Sequence, residues 1–406
     1  MVFLCAGAVA NAATYSGSKT YDSYKGLVMA GYQGWFNTPY DRAGRGWYHY
    51  RGRNGFGPGS TSVDMWPDVS EYEKLYRSPF VFQDGTPAYL PSSYDSTTVD
   101  THFRWMRQYD IDGVFMQRFV SEIRNPSGRH HFDRVLSNAM TAANRYGRAI
   151  SVMYDLSGMQ AGEDSVVIAD IRRLAEEHSL MSQDDNPSYL RHNGRPLVSV
   201  WGVGFNDSRA YGLTEAGRIV DTLKEMRFSV MIGVPAHWRT LDGDTESDPG
   251  LHTLIRKCDI VMPWFVGRYD EQTFDNYKSL ISDDISWSRK NRVDYAPLCY
   301  PGFSWKNMNY PEHTLFIPRN GGSFFWKQLS YAVEAGAEMI YIAMFDEIDE
   351  GTAIFKCARR VPAPYPGSTF LPLEEGVRAE HYMQLAGKAG KMLRERNVNK
   401  GKKSRK

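Results

Sequence analysis

"MIYIAMFDE", residues 339–347, sets a continuous apolar run directly against an aspartate and a glutamate. A strand with one wet face alternates apolar and polar residues, whereas a run with no alternation fits a strand buried on both faces, as in a parallel sheet covered by helices. Seven more runs of this kind precede it. They are "LVMAGYQGWF" at 27–36, "DGVFMQRF" at 112–119, "AISVMYDL" at 149–156, "LVSVWGVGF" at 197–205, "SVMIGVPA" at 229–236, "DIVMPWFVG" at 259–267 and "DYAPLCYPG" at 294–302. A Gly/Pro/Asp-rich loop and then a segment of helical spacing follow the runs, which is the pattern of repeated parallel βα units.

The intervening segments carry the helical period. In "EDSVVIADIRRLAEEHSL", Val167, Ile168, Ile171, Leu174 and Ala175 fall on one face while Arg172, Arg173, Glu176 and Glu177 fall on the other. Similar stripes recur in "FDRVLSNAMTAANRYG", "EAGRIVDTLKEM" and "YMQLAGKAGKML". Eight units with no Pro/Ser-rich linker between them predict an α/β chain folded as a single (β/α)8 barrel, over residues 14–395. A doubly wound open sheet is the rival, but no GxGxxG follows the first strand. The stretch from Gly34 to about Thr97 is far longer than an ordinary connection, and a loop after a barrel strand lies on the face where sites are built. It is expected to wall a cleft.

Composition narrows the partners. The chain has 406 residues with a formal net charge of +1, so no basic field invites nucleic acid and the expected partners are neutral. Aromatic residues make up 14% of it, including ten Trp and twenty-five Tyr, an excess that suits either a ring-rich core or stacking on sugars. Residues 1–13, "MVFLCAGAVANAA", read as a leader with a small-x-small cleavage site but no basic n-region, which predicts an exported protein: secreted, periplasmic or at the cell surface. No later stretch reaches the roughly 18–20 apolar residues of a membrane span. Beyond Cys5 in the leader, Cys258, Cys299 and Cys357 lack metal-ligand spacing and read as buried thiols. Residues 396–406, ending in "KGKKSRK", read as a basic disordered tail. A monomer without cofactor or metal is expected.

If the runs are barrel strands, the residues at their C-terminal ends converge. These are Trp35 and Asn37, Gln117 and Arg118, Tyr154 and Asp155, Trp201, His237 and Trp238, Trp264, Tyr300, and finally Asp346 and Glu347. Aromatic and hydrogen-bonding side chains of this kind line polyol clefts. Within "MFDEIDEGT", residues 344–352, Glu347 and Glu350 are placed so that a turn directs both into the barrel mouth. Paired carboxyls let one group protonate a leaving oxygen while the other withdraws a proton, and their repulsion lifts one pKa toward neutrality. That is the chemistry of glycoside hydrolysis. A Ca²⁺ site is the alternative use of clustered oxygens, but the spacing is not that of an EF-hand. A solvated acidic loop is the other.

"FDEIDEGTAI" at 345–354 resembles the E-x-x-E-G-T element of glycoside hydrolase family 99, the endo-α-mannosidases and endo-α-mannanases, related in turn to the family 71 α-1,3-glucanases. "GYQGWFNTP" at 31–39 and "GWYHY" at 46–50 are similar to that family's Tyr-x-x-Trp-Tyr-Gly-Asn-Pro and His-Trp elements, and "YPGFSW" at 300–305 to a loop after the seventh strand. The resemblance implies that Glu350 is the general acid/base and that Glu347 deprotonates the sugar 2-hydroxyl, which attacks the anomeric carbon with net retention. Such a pair need not straddle the anomeric centre at the separation of about 5–5.5 Å found in ordinary retaining enzymes. Tyr32, Trp35 and His49 would line the subsites, together with Gln117, Arg118, Asp155, His237, Trp238, Trp264, Tyr300 and Trp305 from the other strand ends. The family's Asn-Glu-Trp-His-Glu is here Asp346-Glu347-Ile348-Asp349-Glu350, which keeps both glutamates and loses an aromatic and a histidine beside them. A different α-glycan, an exo-acting enzyme, a glycan-binding barrel without turnover and a metal-dependent hydrolase using His237 are the competing expectations.

Overall fold

A computed structural model describes residues 19–403 apart from 309, 313 and 314, so the leader expected at residues 1–13 lies outside the described residues. The first six apolar runs form parallel strands at Val28–Tyr32, Gly113–Phe119, Ala149–Asp155, Arg195–Trp201, Ser229–Pro235 and Ile260–Trp264, and the eighth forms Ile340–Ile342. Each pairs in parallel with its neighbour, from Met29 opposite Gly113 round to Met231 opposite Ile260, while Val28 lies opposite Ile340. Six of seven residues are buried in Gly113–Phe119 and in Ala149–Asp155, and Val28–Tyr32 and Ser229–Pro235 are buried throughout, as continuous apolar runs require.

The seventh run closes the ring in two halves. Asp294–Tyr295 pairs with the sixth strand and Leu298–Cys299 with the eighth. Between them Ala296 donates its N–H to Val261 at 3.0 Å, and Pro297 offers only its carbonyl, accepting from Tyr341 at 3.0 Å. Proline has no N–H to extend a ladder, so the strand changes partner where Pro297 stands. The barrel interior is filled with side chains. A Cβ on Gly31 would lie 2.2 Å from the Met344 side chain and 2.3 Å from the Tyr341 hydroxyl, so the first strand leaves that space to its neighbours.

Helices Ser96–Gln108, Pro126–Tyr146, Asp164–Glu177, Leu213–Glu225, Gly250–Lys257, Lys278–Asn291, Ser323–Ala335 and His381–Lys403 complete the eight units. Asp164–Glu177 buries Val167, Ile171 and Leu174 and exposes Arg172, Glu176 and Glu177, the division its spacing predicts. The last helix continues through Lys403, into the stretch expected to be a disordered tail. Among the described residues Cys258, Cys299 and Cys357 are free and buried, and no helix is long and apolar enough to cross a membrane.

The long first loop folds into a wall. It holds an antiparallel hairpin, Tyr76–Val81 with Pro87–Leu90, over a cluster of rings that includes Tyr50, Phe56, Trp66 and Phe80. Bridges from Met65 to Leu371 and from Pro67 to Cys357 join it to the segment after the eighth strand. The two longest loops of this rim therefore hold each other.

Candidate active site

Residues 344–352 keep their four carboxyls apart by giving each its own surroundings. Asp346 turns back to the first loop, where its two oxygens accept the backbone N–H groups of Gln33 at 2.7 Å and Gly34 at 2.9 Å. The carbonyl of Ile348 accepts from Asp64 and Met65 at 3.0 and 3.1 Å, and the carbonyl of Glu350 accepts from Ser304 at 2.8 Å. Asp349 turns to His49, with Oδ2 3.2 Å from Nδ1. Glu347 and Glu350 are left facing one cavity of about 540 Å³.

That cavity sits on the C-terminal ends of the strands. Gln33 and Trp35 reach it from the first, Gln117 and Phe119 from the second, Asp155 from the third, Trp201 from the fourth, Trp264 from the sixth, Trp305 from the seventh, and Met344, Glu347 and Glu350 from the eighth. Trp201 and Trp264 meet edge to face with centroids 5.0 Å apart. Gly233 on the fifth strand makes room, since a Cβ there would come 2.4 Å from the Trp201 ring. Five buried polar atoms of this lining have no hydrogen-bond partner among the described residues: Gln33 Oε1, Gln117 Oε1 and the indole nitrogens of Trp35, Trp201 and Trp305. Buried polar groups are ordinarily paired, so a set of orphans converging on one cavity marks where a hydrogen-bonding ligand would supply the partners.

The two glutamates differ in support. Glu347 accepts from Gln33 Nε2 on one oxygen and from the Thr352 hydroxyl at 2.6 Å on the other. Burial, then the charges of Glu350 and Asp349, push its pKa well above the usual carboxylate range. Burial and Asp349 push Glu350 up to about 8, while the indole N–H of Trp305 leans toward it without closing a hydrogen bond. Burial also raises Asp349 to about 8 and lowers His49 to about 3, so around pH 7 their contact joins two uncharged groups.

His49 does not line the cavity. It lies behind Trp35, ring on ring, at a centroid distance of 3.7 Å and an interplanar angle of 4°, with its backbone in the left-handed region at φ 58°. Tyr32, Arg118, Trp238 and Tyr300, expected at the subsites, are buried away from it. The Tyr32 hydroxyl shares a hydrogen bond with His102 Nδ1 at 2.7 Å. Arg118 pairs with Asp170 at 2.7 Å and Asp133 at 2.9 Å, and Trp238 donates to Asp284 at 3.2 Å. Tyr300 bonds the carbonyl of Tyr269. In a strand successive side chains alternate, so Gln117 facing inward places Arg118 outward among the helices. His237 also misses the lining, held by Asp244 at 3.1 Å, and Asn37 is buried against Asp41 and His131. Among the described residues no group of three or more His, Cys, Asp or Glu side chains is arranged to hold a metal ion.

The residues that sequence reading passed over are Gln33, Thr352, Phe119, Arg209 and Arg268. Gln33 had a signal, a lone amide inside the apolar run "GYQGWF", and Thr352 closes the E-x-x-E-G-T element. The arginines come from loops whose course no local pattern gives.

No protein-family model matches the chain, and no curated protein matches it. Among solved structures it is similar to the family 99 endo-α-mannosidase of Bacteroides thetaiotaomicron in complex with BIS-TRIS-propane, at a TM-score of 0.66 and 15% identity over 94% of this chain and 100% of that one. A second structure of that enzyme gives 0.64 and 16% over 93% and 99%, and a glycoside hydrolase-like protein gives 0.51 and 12% over 80% and 94%. The chain has the endo-α-mannosidase fold. At this identity the likeness is one of architecture, and it extends over nearly the whole of both chains. The three positions at which residues 346–350 depart from the family pattern, Asp346, Ile348 and Asp349, are all buried and none lines the cavity.

Proposed function

We propose that this protein is an exported glycoside hydrolase that cleaves an α-linked glycan with net retention. The observation that carries the reading is the convergence of unpartnered amide and indole groups, aromatic faces and two glutamates on one cavity at the C-terminal rim. Aromatic faces suit the apolar faces of sugar rings, and the unpaired donors and acceptors suit their hydroxyls.

In this reading Glu350 is the general acid. Among the described residues only the Trp305 indole leans toward its carboxyl and its pKa is raised, so it holds a proton at neutral pH and gives it to the glycosidic oxygen as the bond to the anomeric carbon breaks. Glu347 is the base. The donors Gln33 and Thr352 favour its charged form, so when the coupled group gives up a proton it is Glu347 that becomes the carboxylate. It takes the proton of the sugar 2-hydroxyl, and that oxygen closes on the anomeric carbon to give a 1,2-anhydro sugar. Water then attacks the same carbon, yielding its proton to the Glu350 carboxylate while Glu347 returns a proton to O2. Two inversions leave the configuration retained.

The test is incubation of the protein and its Glu350→Gln variant with α-mannans, α-glucans and branched plant oligosaccharides. Products are expected from the parent alone, with kcat/KM of the variant lower by roughly 10²–10⁴, the usual worth of acid/base catalysis. A variant equal to the parent would remove Glu350 from the mechanism. Binding without turnover by the parent would mark a glycan-binding barrel instead.

A further inference from the structure

The cavity contains two arginines in different states. Arg209 is fully engaged: Nε and Nη2 grip Asp207 at 2.8 and 2.9 Å, and Nη1 donates to the Tyr211 hydroxyl at 2.7 Å and the Gly202 carbonyl at 3.3 Å. Arg268, just past the sixth strand, uses only Nε, on Asp244 at 2.7 Å. Its two terminal nitrogens have no hydrogen-bond partner among the described residues, and its side chain is 34% exposed on the cavity wall. The arginine is also held in place. Asp244 accepts the N–H groups of Ala236 and His237 at 3.1 and 3.0 Å and the His237 ring at 3.1 Å, so the carboxylate that orients Arg268 is itself fixed by backbone.

A guanidinium anchored through Nε presents its remaining N–H fork in a fixed direction, the geometry that grips carboxylate, sulfate or phosphate oxygens in pairs. A neutral hydroxyl can accept from such a fork but adds no charge pairing, so the stronger contact is with an anion. The other cavity carboxyls leave room for an anion there: Asp207 is paired with Arg209, and Glu347 and Glu350 lie on the eighth-strand side, where burial raises the pKa of both. Asp155 accepts the Ser157 N–H at 2.7 Å, and burial raises its pKa.

We propose that the glycan taken by this cavity bears an anionic substituent, a carboxylate, sulfate or phosphate, and that Arg268 receives it, on the sixth-strand side of the cleavage point. This rests on the hydrolase reading only for the position of cleavage, and it replaces the neutral partner expected from net charge. The expected contrast is affinity. An α-linked mannobiose and its 6-sulfate, 6-phosphate and uronate forms are titrated calorimetrically into the parent, Arg268→Gln and Arg268→Lys at low and high salt. At least one anionic form should bind roughly tenfold tighter than the neutral sugar, weaken with salt, lose that margin in Arg268→Gln and keep part of it in Arg268→Lys. Which form wins identifies the substituent. Equal affinity for neutral and anionic forms, or a margin unchanged in Arg268→Gln, overturns the proposal even if neutral glycans are hydrolysed. An Arg268-dependent margin without any turnover supports it while rejecting the hydrolase.

Discussion

Glu347 accepts a hydrogen bond on each oxygen, from Gln33 and from Thr352, whereas among the described residues Glu350 has only the Trp305 indole leaning toward its carboxyl. That asymmetry gives two like side chains different protonation preferences three residues apart. A general acid works in its protonated form and a base in its ionised form, so kcat/KM should fall on the acid side as Glu347 takes up a proton and fall again above the Glu350 value of about 8, tenfold for each further pH unit. Asp349 ionises over the same pH range, and its charge then helps hold the Glu350 proton, so Asp349→Asn should move the alkaline limb to lower pH, with the ring stack of His49 on Trp35 still in place. A pH profile of kcat/KM checks both, and an unmoved limb would mean that Glu350 does not feel Asp349. At this scale the sequence pointed Glu347 and Glu350 into the barrel mouth, and both line the cavity there. It did not name Gln33, whose role needs the first strand beside the eighth.

Loops carry the site, and one buried carboxylate ties two of them. Asp64, in the long first loop, accepts the Ser304 hydroxyl and the backbone N–H groups of Lys306 and Asn307, both at 2.8 Å, thereby fixing the turn that presents Trp305. Asp64→Ala strands three donors in a buried place, each worth about 1–3 kcal/mol when left unpaired. The melting temperature should fall by roughly 2–8 °C and KM for the glycan should rise more than kcat falls, because the turn positions a ring rather than a reacting group. Scanning calorimetry with steady-state kinetics measures both. The elements themselves were legible, each apolar run yielding a strand, but the wall made by residues 34–95 was legible only as a long loop. Its hairpin and ring cluster depend on contacts with residues after the eighth strand that no local spacing encodes.

For the whole molecule the barrel interior sets the tolerance to change. Gly31 yields its space to Met344 and Tyr341, and Tyr341 in turn holds Gln117 at 3.2 Å beneath the cavity. Gly31→Ala should cost about 1–3 kcal/mol by overpacking and lower the melting temperature, with activity falling as the Gln117 amide shifts. Full activity and an unchanged melting temperature would mean that the interior can give way at that layer. By itself the sequence determined the succession of eight strands and helices, because burial on both faces writes a continuous apolar run and a helix against a sheet writes a 3.6-residue stripe. The same continuity hid which residues point inward: Gln117 and Arg118, or Trp264 and Tyr300, look alike in a run with no alternation to read. Only closure of the ring, through the divided strand around Pro297, decided that Gln117 and Trp264 face the cavity while Arg118 and Tyr300 support it from behind, since facing in a closed barrel is fixed by register between strands and not by residue type.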